Sequence, residues 1–417
     1  MTQLTDPLPL QPADVVSETA RAIDDASEEL RKLSLELFHN PETAFQEVKA
    51  SKLLSDWLEQ RGWTVTRNVY GIETAFEARF SIRDGGRTVC FNAEYDALPG
   101  VGHACGHNLI ATSTLASAVA VETVIRSRNL PGTVVVMGTP AEESYGGKWI
   151  MAKNGAWRDC DACVMTHGMP DFSTPVCMTK ASWKLRAKFH GKSAHAAGAP
   201  WTGRNACDAI VQAYTGIALL RQHIEKSESI QGCILEAGKV PNLIPDYSEG
   251  MFSVRAPTVK QIEALRARVE PIFHGAAAAT GCTVELDWFA LYEDVVTNET
   301  LAEQYRQYMM QHLGLTPEEM LPIAEAKIAH DLGGSSDFGS CSYICPGIQS
   351  VFNIHATDLP HSTGFREAAE SEIGHVEALR AGKANALICI DVLLNDDFAL
   401  RMKGDFNKTM QAAGRFQ

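Results

Sequence analysis

The stretch Thr88-Val-Cys-Phe-Asn-Ala-Glu94-Tyr-Asp96, continued by His103-Ala-Cys-Gly-His107-Asn108, decides how this chain folds. Thr88–Glu94 is an apolar run that reads as a buried strand, ending at Asp96. Glycines at 100, 102 and 106 allow a tight loop. Asn108 is expected to cap a helix reaching Arg128. Strand, loop and helix make one step of an α/β fold, and loops at the carboxyl ends of such strands are where open sheets build their sites.

The same alternation continues on both sides. Upstream, apolar spacing predicts helices over Ser27–Phe38 and Phe45–Leu58, after a polar, Pro-rich start read as disordered, and strands near Thr64–Val69 and Glu73–Phe80. Downstream, Thr133–Gly138 is a strand stopped by Pro140, Gly147–Asn154 a helix, and Cys160–Thr166 a strand that delivers His167. This alternation predicts a mostly parallel sheet flanked by helices. Its strand exits supply Asp96, Glu142–Glu143 and His167 along one edge.

The pattern changes near residue 181. Ser182–His190 alternates, Ala206–Ile224 is helical, Gly232–Gly238 and Tyr247–Arg255 are strand-like, Val259–Ala279 is helical, and Thr283–Phe289 is a strand. That β-α-β-β-α-β order predicts an inserted α+β split-βαβ domain. The expected division is 1–180 and 292–417 as two parts of a catalytic domain, with the insert at 181–291. A long Ala-rich helix, Ala368–Leu394, is expected to close the fold.

Bulk composition narrows the function. The chain has 417 residues, too many for one ordinary core. Its formal charge of −14 argues against nucleic acid and anionic membranes as partners. No run of about 18 apolar residues is seen, and the N-terminus has no signal-peptide core. Eleven scattered cysteines read as reduced thiols of a cytoplasmic protein. Cys160-Asp-Ala-Cys163 has redox-motif spacing but lies in an apparent strand, which favours a structural role.

The chemistry sits at the strand exits. Cys105 and His107, two residues apart in an extended segment, can share one ion, and thiolate, imidazole and carboxylate together suit a borderline divalent cation. Adjacent carboxylates repel unless their roles differ: Glu143 can bind metal while Glu142 takes a proton from activated water. Asp96 can orient a ligand imidazole. His167, at a strand exit, is a further ligand. For the last ligand, His330, His355 and His361 all remain open on the residues alone.

Six segments then carry a resemblance: Glu94-Tyr-Asp-Ala-Leu-Pro-Gly, His103-Ala-Cys-Gly-His-Asn, Pro140-Ala-Glu-Glu, Gly191-Lys-Ser-Ala-His-Ala-Ala, Pro241-Asn-Leu-Ile-Pro and Gly334-Ser-Ser-Asp-Phe-Gly. In this order the chain resembles the aminoacylase and amidohydrolase family of two-metal peptidases, which includes auxin-conjugate amidohydrolases, aminobenzoyl-glutamate hydrolase and β-alanyl dipeptide hydrolases. The resemblance implies metal ligands at Cys105, His107, Glu143, His167 and His361, a general base at Glu142, and Asp96 behind the centre. It implies that the insert is a lid that also forms a homodimer. His195 there would polarise the scissile carbonyl of a neighbouring site, and Asn242 and Arg255 would hold a substrate carboxylate. Glu94 stands where many relatives have a metal-binding His, and Asn108 where much of the thiolate branch has Asp.

The expected activity is hydrolysis of the amide bond of a small N-acyl amino acid or dipeptide by water activated at one or two divalent ions, zinc or manganese, with cobalt possible. A second reading keeps the metal and changes the bond: deamination of a small carboxylated aromatic or amidine. A binding module or a structural oligomer is a third reading, against which the Glu142–Glu143 pair argues, since a binder needs no base.

Overall fold

A computed structural model describes residues 8–177, 179–329 and 333–415. They form two compact units: Met1–Met178 with Val295–Leu332 and Asp337–Gln417, and Thr179–Asp294 with Gly333–Ser336. Gly333–Ser336, expected with the catalytic part, packs with the second unit.

The first unit is built on a six-stranded sheet. In chain order its strands are β1 (Thr64–Arg67), β2 (Phe76–Phe80), β3 (Thr88–Ala93), β4 (Thr133–Gly138) and β5 (Ala162–Met169), and β12 (Gly347–Asn353) after the insert. The spatial order is β1-β2-β4-β3-β5-β12. β4, β3, β5 and β12 pair in parallel, and the antiparallel pairings are β1 with β2 and β2 with β4. β3 and β4 are buried from their second residue onward, as strands covered on both faces must be. Their last residues, Ala93 and Gly138, are register partners. The Glu94–Asp96 and Thr139–Glu143 segments therefore leave the sheet side by side.

The helix His107–Arg128 is buried on nearly every face and packs against Ala13–His39 and Glu372–Leu394. By length and composition it could cross a membrane, yet 94% of its apolar window is buried inside the protein; it is a core helix. It begins at His107, with Gly106 as its cap at φ 75°. Asn108 is not the cap: its Nδ2 donates to Ser34 Oγ and to the Ala369 carbonyl. A Cβ at Gly106 would meet the Phe365 ring at 3.3 Å in a left-handed conformation that side chains disfavour.

Three other elements depart from the sequence reading. The first helix runs Ala13–His39, starting well before Ser27. Its buried positions Val15, Thr19, Ile23, Ala26 and Leu30 keep helical spacing, but Thr and Ala give a weak apolar signal. His167 lies inside β5, not beyond it. The closing helix is two, Thr363–Glu370 and Glu372–Leu394, divided where the Ser371 hydroxyl accepts from Gly374 N–H.

The second unit contains β6 (Ala181–His190), β7 (Ala194–His195), β8 (Ser229–Glu236), β9 (Leu243–Ile244), β10 (Tyr247–Ala256) and β11 (Thr283–Tyr292). Its antiparallel sheet has the order β11-β6-β10-β8. Helices Ala206–Leu220 and Val259–Thr280 pack on it. Alternate burial along β10 sets one face against those helices.

Candidate active site

Three loops of the first unit, carrying Cys105, Glu142–Glu143 and His361, converge with the end of β5, which carries His167. The 98–106 loop is closed by reciprocal Leu98–Gly102 backbone hydrogen bonds, and Ala104 O accepts from His361 N–H at 2.8 Å. That bond ties the 361 loop to the Cys105 loop. Between β4 and the Glu142–Tyr145 turn, Ala141 is left-handed, at φ 63°. A Cβ on Gly147 would lie 1.8 Å from the Pro140 carbonyl oxygen, so only glycine lets the chain fold back there.

Three imidazoles turn one nitrogen each toward the same space. His107 Nδ1 lies 2.8 Å from the Asp96 carbonyl and 3.2 Å from Asp96 Oδ1; a carbonyl only accepts, so Nδ1–H donates and Nε2 is the nitrogen turned toward the centre. His107 Nε2 is 3.6 Å from Glu143 Oε1. His167 Nδ1–H donates to the Gly168 carbonyl at 2.7 Å, and its Nε2 is 3.5 Å from Cys105 Sγ. His361 Nε2 is 3.3 Å from Glu143 Oε2. Glu143 is itself fixed, its N–H donating to Asp96 Oδ2 at 3.0 Å.

These donors form three groups whose atoms lie within 4.8 Å of one another: Cys105–His107–His167, Cys105–Glu143–His361 and His107–Glu142–Glu143. His107 Nε2 and Glu143 Oε1 are buried and make no hydrogen bond. Buried polar atoms rarely stay unsatisfied, so this donor set fits a divalent cation. Glu142 is held well above the usual carboxylate range by burial and then by the neighbouring charges of Glu94, Glu143 and Asp337. A base so placed takes up a proton readily.

His361 and His355 now separate. His355 is exposed and faces Glu377 at 3.9 Å, whereas His361 reaches Glu143. His330 lies outside the described residues. His103 is in none of the donor groups and stacks on Phe38, ring centroids 6.4 Å apart.

His195, Asn242 and Arg255 belong to the second unit. β7 pairs with β9, His195 opposite Leu243, and Ala196 N–H donates to the Asn242 carbonyl. His195 is exposed, its Nδ1 accepting from Gly198 N–H at 3.0 Å. Arg255, on β10, is half-buried and donates to Ser335 Oγ at 3.1 Å.

Two groups escaped the sequence reading. Lys148, fully buried, places Nζ 2.5 Å from Glu94 Oε1 and 2.6 Å from Asp337 Oδ1. A lysine just after the glycine pair 146–147, inside an apolar helix, was the available signal. Glu47, also buried, accepts from Ala141 N–H and from the Thr74 hydroxyl, both at 2.9 Å, and so supports the turn that presents Glu142.

Burial, and then the Asp96 charge, push the Glu47 carboxyl up to about 7. The folded state therefore binds this proton more tightly than the unfolded chain. Its contribution to stability is present below pH 4.5 and is lost as pH rises toward 7, on the order of 3 kcal/mol in all. Glu47→Gln keeps an acceptor for Ala141 and removes the titration. Urea unfolding of the metal-free protein from pH 4.5 to 7.5 should lose less stability in the variant than in the wild type; parallel curves would refute the assignment.

Residues 90–358 match the model of peptidase family M20/M25/M40. The Xaa-Arg dipeptidase of Mus musculus is 36% identical over 404 residues, covering 94% of this chain and 92% of its own. A p-aminobenzoyl-glutamate hydrolase polypeptide from Escherichia coli K12 is 34% identical over 330 residues, 73% of this chain and 67% of its own. Among solved structures, a dinuclear metal-binding M20 peptidase from Bacillus subtilis is similar in fold, with TM-score 0.63 and 21% identity, over 88% of this chain and 99% of that one. The chain belongs to peptidase family M20/M25/M40.

Proposed function

We propose that this chain hydrolyses dipeptides or N-acyl amino acids at a centre held by Cys105, His107, Glu143, His167 and His361, with Glu142 as general base. The coarser activity, metal-dependent hydrolysis of amide bonds, follows from the family and its relatives; deamination is not favoured by them. The observation that carries the assignment of residues is the convergence of a thiol, three imidazole Nε2 atoms and Glu143 on one space, with His107 Nε2 and Glu143 Oε1 unsatisfied.

A divalent ion held by these residues would lower the pKa of water toward neutrality and polarise a carbonyl oxygen. Every other part belongs to the chain. Glu142 takes the proton from the attacking water and passes it to the leaving nitrogen. Asp96 fixes the tautomer of His107. His195 donates to the developing oxyanion. Asn242 and Arg255 hold the substrate's carboxylate, Arg255 through a two-pronged guanidinium contact. Mixed thiolate, imidazole and carboxylate donors suit zinc or manganese, with cobalt a further candidate. Two donor triplets sharing Cys105 support a two-ion centre.

Because the mouse relative is named an Xaa-Arg dipeptidase, dipeptides ending in arginine are the first substrates to assay. Arg255→Ala should lower kcat/KM about 10- to 100-fold, mostly through KM, on substrates with a free carboxylate. The amidated dipeptide, already weak, should be little changed. Equal losses on both would remove Arg255 from carboxylate binding.

A homodimer through the second unit belongs to the same reading. Its edge strand β8 exposes Ile234 and Leu235, at 39% and 51%; light scattering gives the mass that tests it. A cytoplasmic setting is supported by eleven free cysteines. Alkylation of protein taken directly from cells, under denaturing conditions with a chelator present, should label them all as thiols.

A further inference from the structure

Glu94 closes one side of this centre. It is 1% exposed, and its two carboxylate oxygens have different surroundings. Oε1 accepts from the Lys148 ammonium at 2.5 Å. Oε2 makes no hydrogen bond and lies 3.6 Å from His107 Nε2. That nitrogen also lacks a hydrogen bond, while the other ring nitrogen donates to the Asp96 carbonyl.

The same distance separates His107 Nε2 from Glu143 Oε1, and Glu143 belongs to the compact donor groups. Glu94 belongs to none of them, yet it meets His107 at the same range. Two ligand atoms, each roughly 2.0–2.2 Å from a shared ion, sit about 3–3.6 Å apart at ordinary coordination angles. The gap between Glu94 Oε2 and His107 Nε2 is at the upper edge of that range, too long for a hydrogen bond.

Charge points the same way. Lys148 pairs with both Glu94 and Asp337, and all three side chains are at most 1% exposed. One ammonium against two carboxylates leaves a buried negative charge, which is costly without a counter-ion. Asp337 is fully used: Oδ1 takes the ammonium and Oδ2 accepts from Lys148 N–H at 2.9 Å. The unsatisfied oxygen of the trio is Glu94 Oε2, and it faces the imidazole nitrogen assigned to metal.

We propose that Glu94 is a further metal ligand of this chain, binding through Oε2 the ion that His107 Nε2 holds, while Lys148 fixes its other oxygen. The proposal rests on the metal centre assigned above. A carboxylate here adds a hard, anionic donor, which favours manganese relative to a set of thiolate and imidazoles alone.

The test uses full-length protein stripped with a chelator and titrated calorimetrically with manganese and, separately, zinc. Glu94→Gln keeps the shape and removes the charge. It should bind one of the ions at least 10-fold more weakly, or lose one ion per chain on desalting. Its cobalt-substituted visible spectrum should also differ from wild type. Should this variant fail to fold without metal, as judged by its thermal transition, Glu94→Asp retains the charge for Lys148 and withdraws the carboxylate by one methylene; the same loss is then required of it. Metal number and affinity within about twofold of wild type would overturn the role of Glu94. A wild-type protein that binds no divalent ion would overturn the centre itself, a distinct result.

Discussion

Glu142→Gln should keep its metal and lose turnover by about 10²–10⁴-fold, the usual range for removing a positioned general base. The glutamine is nearly isosteric, and the cysteine, histidine and Glu143 donors are untouched. The loss should fall on kcat and kcat/KM alike, because the proton moves only in the transition state. Glutamine has no carboxylate to take the proton from water, which is the function the substitution removes. Metal content by elemental analysis, with steady-state kinetics on the same preparation, checks both halves. Near-normal turnover would pass the base role to another group; lost metal would make Glu142 a ligand first.

The second large effect concerns stability. Lys148→Met is expected to destabilise the metal-free protein by about 3–5 kcal/mol, the cost of breaking a buried ion pair by removing one partner. Methionine fills nearly the same volume, so packing loss is small. What remains is two carboxylates, Glu94 and Asp337, buried without their shared cation. Adding Glu94→Gln and Asp337→Asn to the variant should recover much of the loss, because the charges left unpaired are then gone. Urea unfolding monitored by tryptophan fluorescence reads the difference. A change below about 1 kcal/mol would mean that the trio is solvated or already neutral.

The fold and the convergence of most of these side chains were legible because their signals are local. The run Thr88–Ala93, the glycines of the 98–106 loop and the run Thr133–Gly138 name two neighbouring parallel strands and the loops that leave them. Once Ala93 and Gly138 are partners, Asp96 and Glu142–Glu143 must emerge together. What stayed hidden depends on contacts distant in sequence. Lys148 joins residues 94 and 337 through a single ammonium, and its place after a glycine pair does not name those two distant partners. His361 and His355 lie on the same loop and both have positive φ, 74° and 58°. The bond from His361 N–H to the Ala104 carbonyl and the contact of its ring with Glu143, both made by tertiary folding, bring that histidine to the centre. The first helix was shortened in the sequence reading because Thr19 and Ala26 are buried without being strongly apolar.

The central claim is that amide cleavage depends on a metal held by these residues. It is tested most directly by stripping the protein with a chelator and following release of free amino acid from an Xaa-Arg dipeptide as zinc, manganese or cobalt is added back. Cleavage that vanishes on stripping and returns with one or two ions per chain is the predicted result. Undiminished cleavage by protein shown to be metal-free would contradict it.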